Sequence, residues 1–277
     1  MIVSDLINFY ARDHLPTLTP RVRRDYWRIL RTLDDAFGYR EVQALKPRHV
    51  VDFLNVPTGR VHRNRHIMIL SSIYKLARGS WCVEMDLDDP CKPARRHPTK
   101  PRTRYVTDAE FQDMRATVPP QVQIAMDLAL LIGQRQGDII ALRWDHVFME
   151  GPRDSWEIHV DQGKTGKRLA IGITPAVEAV LTRARALAPQ LPREYVVHTC
   201  MGRRYTGDGF RALWQKYMRA YRRAHPGVSG WTFHDLRAKC VSDNKSLAAA
   251  SLLAGHRNQT ITGSVYDRNR RRVEPLR

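Results

Sequence analysis

Between Lys92 and Arg104 the chain reads K-P-A-R-R-H-P-T-K-P-R-T-R, with six basic residues, three prolines and no acid. Each proline fixes its own φ, removes a backbone donor and pushes the preceding residue out of the helical region, so no regular helix crosses this stretch. Like charges along it repel and keep it extended. What folds before it therefore folds apart from what folds after it. A chain of 277 residues is long enough for two cores. We expect one domain over 1–91, a basic linker over 92–105 and a second domain over 106–277.

The first part is patterned for helices alone. Ile2, Leu6, Ile7, Phe9 and Tyr10 recur at helical spacing, and from Thr19-Pro20 onward Val22, Tyr26, Ile29, Leu30, Leu33 and Phe37 form an apolar stripe. The opposite face carries Arg21, Arg23, Arg24, Arg28 and Arg31. Such a face is either solvated or set against backbone phosphates, and the scarcity of acid among these arginines favours phosphate. Pro47 opens a short helix to about Leu54, and Gly59 to Gly79 contains a fourth. In the N-terminal half of that fourth helix stand Arg60, His62, Arg63, Asn64, Arg65 and His66. Asparagine and arginine are side chains that read base edges, and a helix N-terminal half is what enters a major groove, so Arg63, Asn64 and Arg65 are candidates for base contact; contact with phosphate is an equal alternative for this basic stretch, in which Arg60 is also a DNA-binding candidate. Arg95 and Arg96 of the linker could lie on a DNA backbone.

The second part mixes helices with a small sheet, which makes the fold class mainly α with a small β-sheet (α+β). Thr107-Asp108-Ala109-Glu110 is a helix start. Pro120 to Leu131 is almost wholly apolar and should be buried, ending at Gly133, with a further helix from Asp138 to Leu142. Trp156, Ile158 and Val160, then Leu169 and Ile171, alternate with polar neighbours and predict a β-hairpin with Asp161 to Lys167 as its turn. The turn lacks the G-x-x-x-x-G-K-[ST] pattern and no helix follows it, so we reject a nucleotide-binding loop. Helices are expected over Thr174–Leu187 and Gly207–Ala224, the latter with Phe210, Leu213, Tyr217, Ala220 and Tyr221 inward.

The charge bounds the partner. Lys and Arg number 46 against 28 Asp and Glu, a net charge of +18 with arginine dominant, while 43% hydrophobic residues make the chain ordinarily globular. Folding does not need that imbalance and is slightly opposed by it, so a polyanion is the economical partner. The four cysteines, Cys82, Cys91, Cys200 and Cys240, have neither disulfide-like nor zinc-ligand spacing and suggest a reducing compartment. No secretory leader or long apolar window is apparent, so we expect a cytoplasmic protein without membrane contact.

Chemistry concentrates near the C-terminus, where W-T-F-H-D-L-R is followed by L-L-A-G-H and S-V-Y-D-R. His234 and Arg237 share a helix face by their i, i+3 spacing. A guanidinium fork can hold two phosphate oxygens, an imidazole moves protons near neutral pH, and Tyr266 is a candidate nucleophile. Upstream, Arg135 falls at a turn between apolar helices, where its charge needs a partner; Asp138 can orient it and a phosphate complete it. Lys164, on the hairpin tip, is a deliverable proton donor.

The order Arg135, Lys164, His234-x-x-Arg237, His256, Tyr266, with G-Q-R-Q-G-D-I-I-A-L-R-W-D-H-V around the first arginine, resembles the tyrosine recombinase or phage integrase family. The resemblance spans the whole second part, and the basic helical module with its linker is similar to the family's core-binding domain. It implies that Tyr266 attacks a DNA phosphodiester to give a 3′-phosphotyrosine and a free 5′-hydroxyl. Arg135 and Arg237 would clamp the non-bridging oxygens, Lys164 protonate the leaving oxygen, His234 assist proton transfer from the tyrosine, His256 hydrogen-bond the phosphate and Asp138 hold Arg135. The implied partners are double-stranded DNA, further copies of the chain in a homotetramer on that DNA, with strand exchange through a Holliday junction, and accessory DNA-bending proteins. No cofactor and no metal are implied. Two other activities use the same fold: type IB topoisomerase-like nicking and relaxation, and non-catalytic DNA binding. The chain departs from the family in having aspartate at 138 where glutamate is commoner, a shortened stretch between Arg237 and His256, and one extra residue between His256 and Tyr266. With 11 residues after Tyr266, a C-terminal helix docking on a neighbour looks truncated, and no room is left for an arm-site domain ahead of the first helix.

Overall fold

The computed structural model describes residues 1–57, 59–79, 81, 87–99, 102–187, 190 and 194–268, except for the side chain of Arg60. The chain divides into two compact units, Met1–Lys100 and Pro101–Arg277, so the division falls inside the basic proline-bearing segment.

Among the described residues, four α-helices make up most of the first unit: α1 Val3–Asp13, α2 Pro20–Phe37, α3 Pro47–Asn55 and α4 Arg60–Gly79. Their apolar stripes meet in one core containing Leu6, Tyr10, Leu30, Leu33, Phe37, Val50, Leu70 and Tyr74. The Tyr74 hydroxyl, fully buried, donates to the Val42 carbonyl at 3.0 Å, so the ring is buried without an orphaned polar tip. The first part of the proline-bearing segment folds back on this unit. Asn64 donates to the His97 carbonyl at 2.7 Å and accepts from its amide at 2.9 Å, while the His97 ring reaches the Leu54 carbonyl at 2.9 Å.

The second unit holds α5 Asp108–Thr117, α6 Pro120–Ile132, α7 Gln136–Ile139, the strands β1 Val147–Phe148, β2 Glu157–Asp161 and β3 Arg168–Gly172, then α8 Pro175–Ala186, α9 Gly207–Ala224, α10 Phe233–Asp243, α11 Leu247–Ala254 and the single turn α12 Gln259–Ile261. The strands form one antiparallel sheet in the order β1-β2-β3. The sheet registers Ile158 against Ile171 and Asp161 against Arg168, as the alternation predicts. β1 was not foreseen, because two residues are too few to alternate. At the start of α5, Thr107 accepts from the Glu110 amide and Glu110 accepts from the Thr107 amide, a reciprocal cap.

α6 is the central helix, packed against α8 and α10 and largely apolar, with its buried Asp127 paired to Arg115 at 2.7 Å and Arg183 at 2.5 Å. It stops at Gly133, whose φ of 62° is left-handed. A Cβ there would come within 2.9 Å of Cys240 Sγ on α10, so the glycine also permits the close approach of the two helices.

Two sequence expectations need correction. The helix after Arg135 runs from Gln136 to Ile139 and not from Asp138 to Leu142. Arg135 is extended and begins it, and the Leu142 carbonyl is already engaged by the Val196 amide at 2.9 Å, which draws 142–143 into an extended pairing with Tyr195. On α9 the deepest residues are Phe210, Trp214, Met218 and Tyr221, with Leu213 and Tyr217 only partly covered and Ala220 exposed. Apolar residues occupy two adjacent helical rows, and the larger Trp214, packed edge-on against Trp231 and Phe233, decides which row faces inward.

Candidate active site

Thr232 caps α10: the Asp235 carboxylate accepts from its amide at 2.6 Å and from its hydroxyl at 2.8 Å. The same carboxylate, with none of its side chain exposed, takes Arg268 Nη1 at 2.5 Å and Arg102 Nη2 at 3.1 Å. Asp235 thus fixes the start of α10, and with it His234 and Arg237, to the residues that follow Tyr266. Ser242 Oγ on the same helix donates to the Tyr266 carbonyl at 2.9 Å.

Arg237 is 1% exposed. It donates to the Gly133 carbonyl at 2.8 Å, to the Ala254 carbonyl at 2.6 Å and to His256 Nε2 at 2.9 Å. No carboxylate is within ion-pair distance of it among the described residues, and its buried Nε has no hydrogen-bond partner. Burial and the neighbouring charge of Arg135 lower its pKa, the signature of a cation that wants an anion.

A guanidinium has no lone pair to offer, so His256 Nε2 is the acceptor in that contact and the ring proton is on Nδ1. Nδ1 lies 2.8 Å from Thr262 Oγ1, which accepts it. The ring is therefore neutral, and burial, then Arg237 and Arg135, push its pKa down to about 4. His256 stands just beyond Gly255, the left-handed cap of α11 with φ 65°, and there the glycine is needed, since a Cβ would fall 2.6 Å from Gln162 Nε2.

Tyr266 ends a π-helical turn, Thr262–Tyr266, and is 9% exposed. Its hydroxyl lies 3.2 Å from His234 Nε2. Its ring stacks on His256 at 4.6 Å between centroids and lies 5.4 Å from the Arg237 guanidinium carbon. The His234 pKa is also pushed down to about 4, by burial and then by Arg237. His234 is itself an exposed residue, and solvent screens part of that effect.

Arg135, His234, Arg237, His256 and Tyr266 thus converge from α6–α7, α10, α11 and the final turn. Asp138 lies 3.9 Å from Arg135, and its Oδ1 accepts from the Gly163 amide at 3.0 Å, tying the hairpin turn to α7. Arg135 Nη1 instead donates its hydrogen bond to Gln162 Oε1, at 2.9 Å. Lys164 is exposed at the hairpin tip, while Lys167, at its base, donates to the His256 carbonyl at 3.1 Å. Gln134, Gln162, Lys167 and Thr262 were not singled out from sequence, though Q-R and Q-G-K flank residues that were.

Of the basic residues expected to face DNA, Arg23 is turned back onto the Pro16 and Leu18 carbonyls, and Asn64 is committed to His97. Arg24 is exposed and shares a surface cleft with Arg28, Arg31 and Trp27, an indole 44% exposed. Arg63 lies over the Phe53 ring at 4.4 Å, and Arg65 over Tyr26 at 5.3 Å, 3.9 Å from Asp25. Arg95 and Arg96 are exposed; the Arg60 side chain lies outside the described residues.

Residues 106–272 match the phage integrase family. The chain belongs to that family. It is therefore a tyrosine-type, site-specific recombinase. The integrase of Escherichia phage HK022 is 22% identical over 260 residues, 90% of this chain and 71% of that protein. The fold is that of lambda integrase: a dimer bound to a COC′ core site superposes with a TM-score of 0.81 at 18% identity, covering 100% of this chain and 80% of that one. A lambda integrase tetramer bound to a Holliday junction gives 0.78 at 18% identity over 94% and 79%. Among the described residues of this integrase, no cluster of His, Cys, Asp and Glu could hold a metal ion and no helix is long and apolar enough to cross a membrane. Cys91, Cys200 and Cys240 are free thiols; Cys82 lies outside the described residues.

Proposed function

We propose that this integrase cuts and rejoins DNA through a 3′-phosphotyrosine on Tyr266, formed in cis, and exchanges strands between two duplexes through a Holliday junction. The observation that carries this is the Tyr266 hydroxyl, 3.2 Å from a neutral imidazole of its own chain, beside a buried arginine that has no carboxylate partner among the described residues. A phosphodiester supplies the missing negative charge. Arg237 and Arg135 hold its non-bridging oxygens and stabilise the additional charge of the pentacovalent state.

In the forward step Tyr266 Oη attacks phosphorus and the bond to O5′ breaks. The phenolic proton passes to His234 Nε2, and Lys164 gives a proton to the departing O5′. When DNA arrives, the His256 proton shifts to Nε2, which donates to a phosphate oxygen, while the Thr262 hydroxyl turns to donate to Nδ1. The phosphotyrosine keeps the energy of the broken ester, so a 5′-hydroxyl from another strand reverses the sequence without an external energy source. Asp138 orders the hairpin turn that carries Lys164.

Residues 1–91 act as the core-binding domain, 92–105 as the linker and 106–277 as the catalytic domain. Double-stranded DNA is gripped by phosphate contacts from Arg24, Arg60, Arg95 and Arg96, with Arg63 and Arg65 closer to bases. Arg23 and Asn64 support the surface from within. Assembly as a homotetramer draws support from the lambda tetramer on a Holliday junction; accessory DNA-bending proteins are further partners in this reading.

The test is a nicked suicide substrate incubated with wild type and Tyr266→Phe, resolved on a denaturing gel. A covalent band for wild type alone supports the mechanism; no band despite tight cognate binding refutes it. Strand transfer between two labelled duplexes then separates recombination from topoisomerase-like relaxation of a single duplex.

A further inference from the structure

Two primary amides lie beneath the arginine pair. Gln134 and Gln162 are each 1% exposed. Gln162 Nε2 donates to Gln134 Oε1 at 2.7 Å and to the Ala254 carbonyl at 3.0 Å, and its Oε1 accepts from Arg135 Nη1 at 2.9 Å and from Thr165 Oγ1 at 2.7 Å. Gln134 Nε2 donates to the Ile132 carbonyl at 2.9 Å and to the Leu253 carbonyl at 2.6 Å. Both donors and both lone pairs of Gln162 are in use. Its orientation is unambiguous, because a flipped amide would set N–H against the guanidinium and oxygen against the Ala254 carbonyl.

The Ala254 carbonyl is shared. It takes Gln162 Nε2 and, at 2.6 Å, Arg237 Nη2. Arg135 and Arg237, which come from sequence positions about a hundred residues apart, are thereby set at a fixed separation through one amide and one carbonyl oxygen. Thr165 brings the hairpin of Lys164 onto the same amide. Asp138, at 3.9 Å, is too far for a hydrogen bond to Arg135.

We infer that Gln162, braced by Gln134, is the positioning residue for Arg135, and that a neutral amide is used so that the guanidinium is oriented without being neutralised. A carboxylate in the same place would orient the arginine equally well but would compete with the phosphate for its charge. The amide holds the fork with one hydrogen bond and adds no second negative charge to that of Asp138, 3.9 Å away, so positive charge is left for the oxyanion. This inference rests on the cleavage mechanism proposed above.

The test is a double-mutant cycle on suicide-substrate cleavage, with Gln162→Met in wild type and in Arg135→Lys, alongside DNA affinity and thermal stability. Misplacing a transition-state contact by about an ångström costs up to ~100-fold. We expect Gln162→Met to slow cleavage ~10- to 100-fold with DNA affinity within ~3-fold, and to slow the Arg135→Lys enzyme by less than ~3-fold, since the fork it positions is already gone. Equal losses in both backgrounds would mean a role in the fold alone and overturn the inference. If Gln162→Met does not fold, Gln162→Glu keeps the volume, and a wild-type cleavage rate for it would equally overturn the inference, because that change adds the competing carboxylate and removes two donors.

If wild type forms no covalent complex, the mechanism fails first, and the amide is judged on oxyanion binding. Inorganic phosphate, matched for ionic strength with chloride, should raise the melting temperature of wild type more than that of Gln162→Met or Arg135→Ala. Identical rises in wild type and Gln162→Met would dismiss the positioning role by itself.

Discussion

Thr262→Val tests how His256 is held. Thr262 is fully buried, and its hydroxyl accepts the Nδ1 proton of His256 at 2.8 Å, which leaves Nε2 as a lone pair facing Arg237 Nη2 at 2.9 Å. Valine replaces that hydroxyl by a methyl of nearly the same size. The imidazole must then either leave Nδ1–H unsatisfied or move the proton to Nε2, where it opposes an N–H of Arg237. Either outcome leaves a partly buried donor without a partner, a penalty of about 1–3 kcal/mol. For a unit of this size that is a fall in melting temperature of roughly 2–4 °C per kcal/mol. Cleavage should fall more than stability implies, because the ring that stacks on Tyr266 at 4.6 Å loses its fixed rotation. The assay is denaturant unfolding of the DNA-free protein together with single-turnover suicide cleavage. Thr262→Ser, which keeps the oxygen, should recover most of the cleavage rate. Equal stability and cleavage for Thr262→Val and wild type would refute the tautomer assignment, and failure of serine to recover the rate would place the effect in packing rather than in the hydrogen bond.

Three further outcomes follow from the same geometry. Lys164→Ala should slow cleavage of an ordinary phosphodiester yet act normally on a substrate whose leaving 5′-oxygen is replaced by sulfur, which needs no protonation, whereas Lys167→Ala, losing a contact to the His256 carbonyl, should be slow on both; rescue of both would merge their roles. Asp235→Asn removes the charge that pairs with Arg268 at 2.5 Å inside the protein and should cost about 3–5 kcal/mol, read by denaturant unfolding, with a loss below ~1 kcal/mol counting against that anchor. Because the native pKa values of His234 and His256 are depressed to about 4, the unfolded chain binds more protons than the native one between pH 6.5 and 4. Stability of the DNA-free protein should therefore fall across that window, by about 1–2 kcal/mol after solvent screening, and these groups should leave it flat above pH 7; a fall concentrated above pH 6.5 would contradict the sign.

Much of this architecture was legible in the chain because it rests on local rules. The Thr107–Glu110 cap, the buried α6 with its terminal Gly133 and the alternation of β2 and β3 are each decided within a few residues. The charged and aromatic members of the site could be picked out because arginine, histidine and tyrosine in a fixed order suggest their own chemistry. Two kinds of feature could not be read this way. One is the choice between two apolar rows on α9, made by the packing of Trp214 with Trp231 and Phe233. The other is the work of neutral polar side chains. Gln162, Gln134 and Thr262 carry no charge and follow no period, and Gln162 finds its partners 27, 28 and 92 positions away.

Asn64 shows the same limit from the opposite side. On sequence it stands where a base reader would, in the N-terminal half of a basic helix, but both ends of its amide are taken by the backbone of His97, 33 residues on. An amide bound in this way anchors the basic segment to α4 and holds the exposed Arg95 and Arg96 beside that helix. Asn64→Ala should then weaken DNA binding to specific and unrelated sequences by similar factors, with little change of base preference, whereas Arg65→Ala should relax the preference at one base position, at a cost of about 1–3 kcal/mol on the specific site. A shift in the preferred site for Asn64→Ala, measured by binding selection from a random pool, would instead show that the asparagine leaves His97 when DNA is bound and reads a base directly.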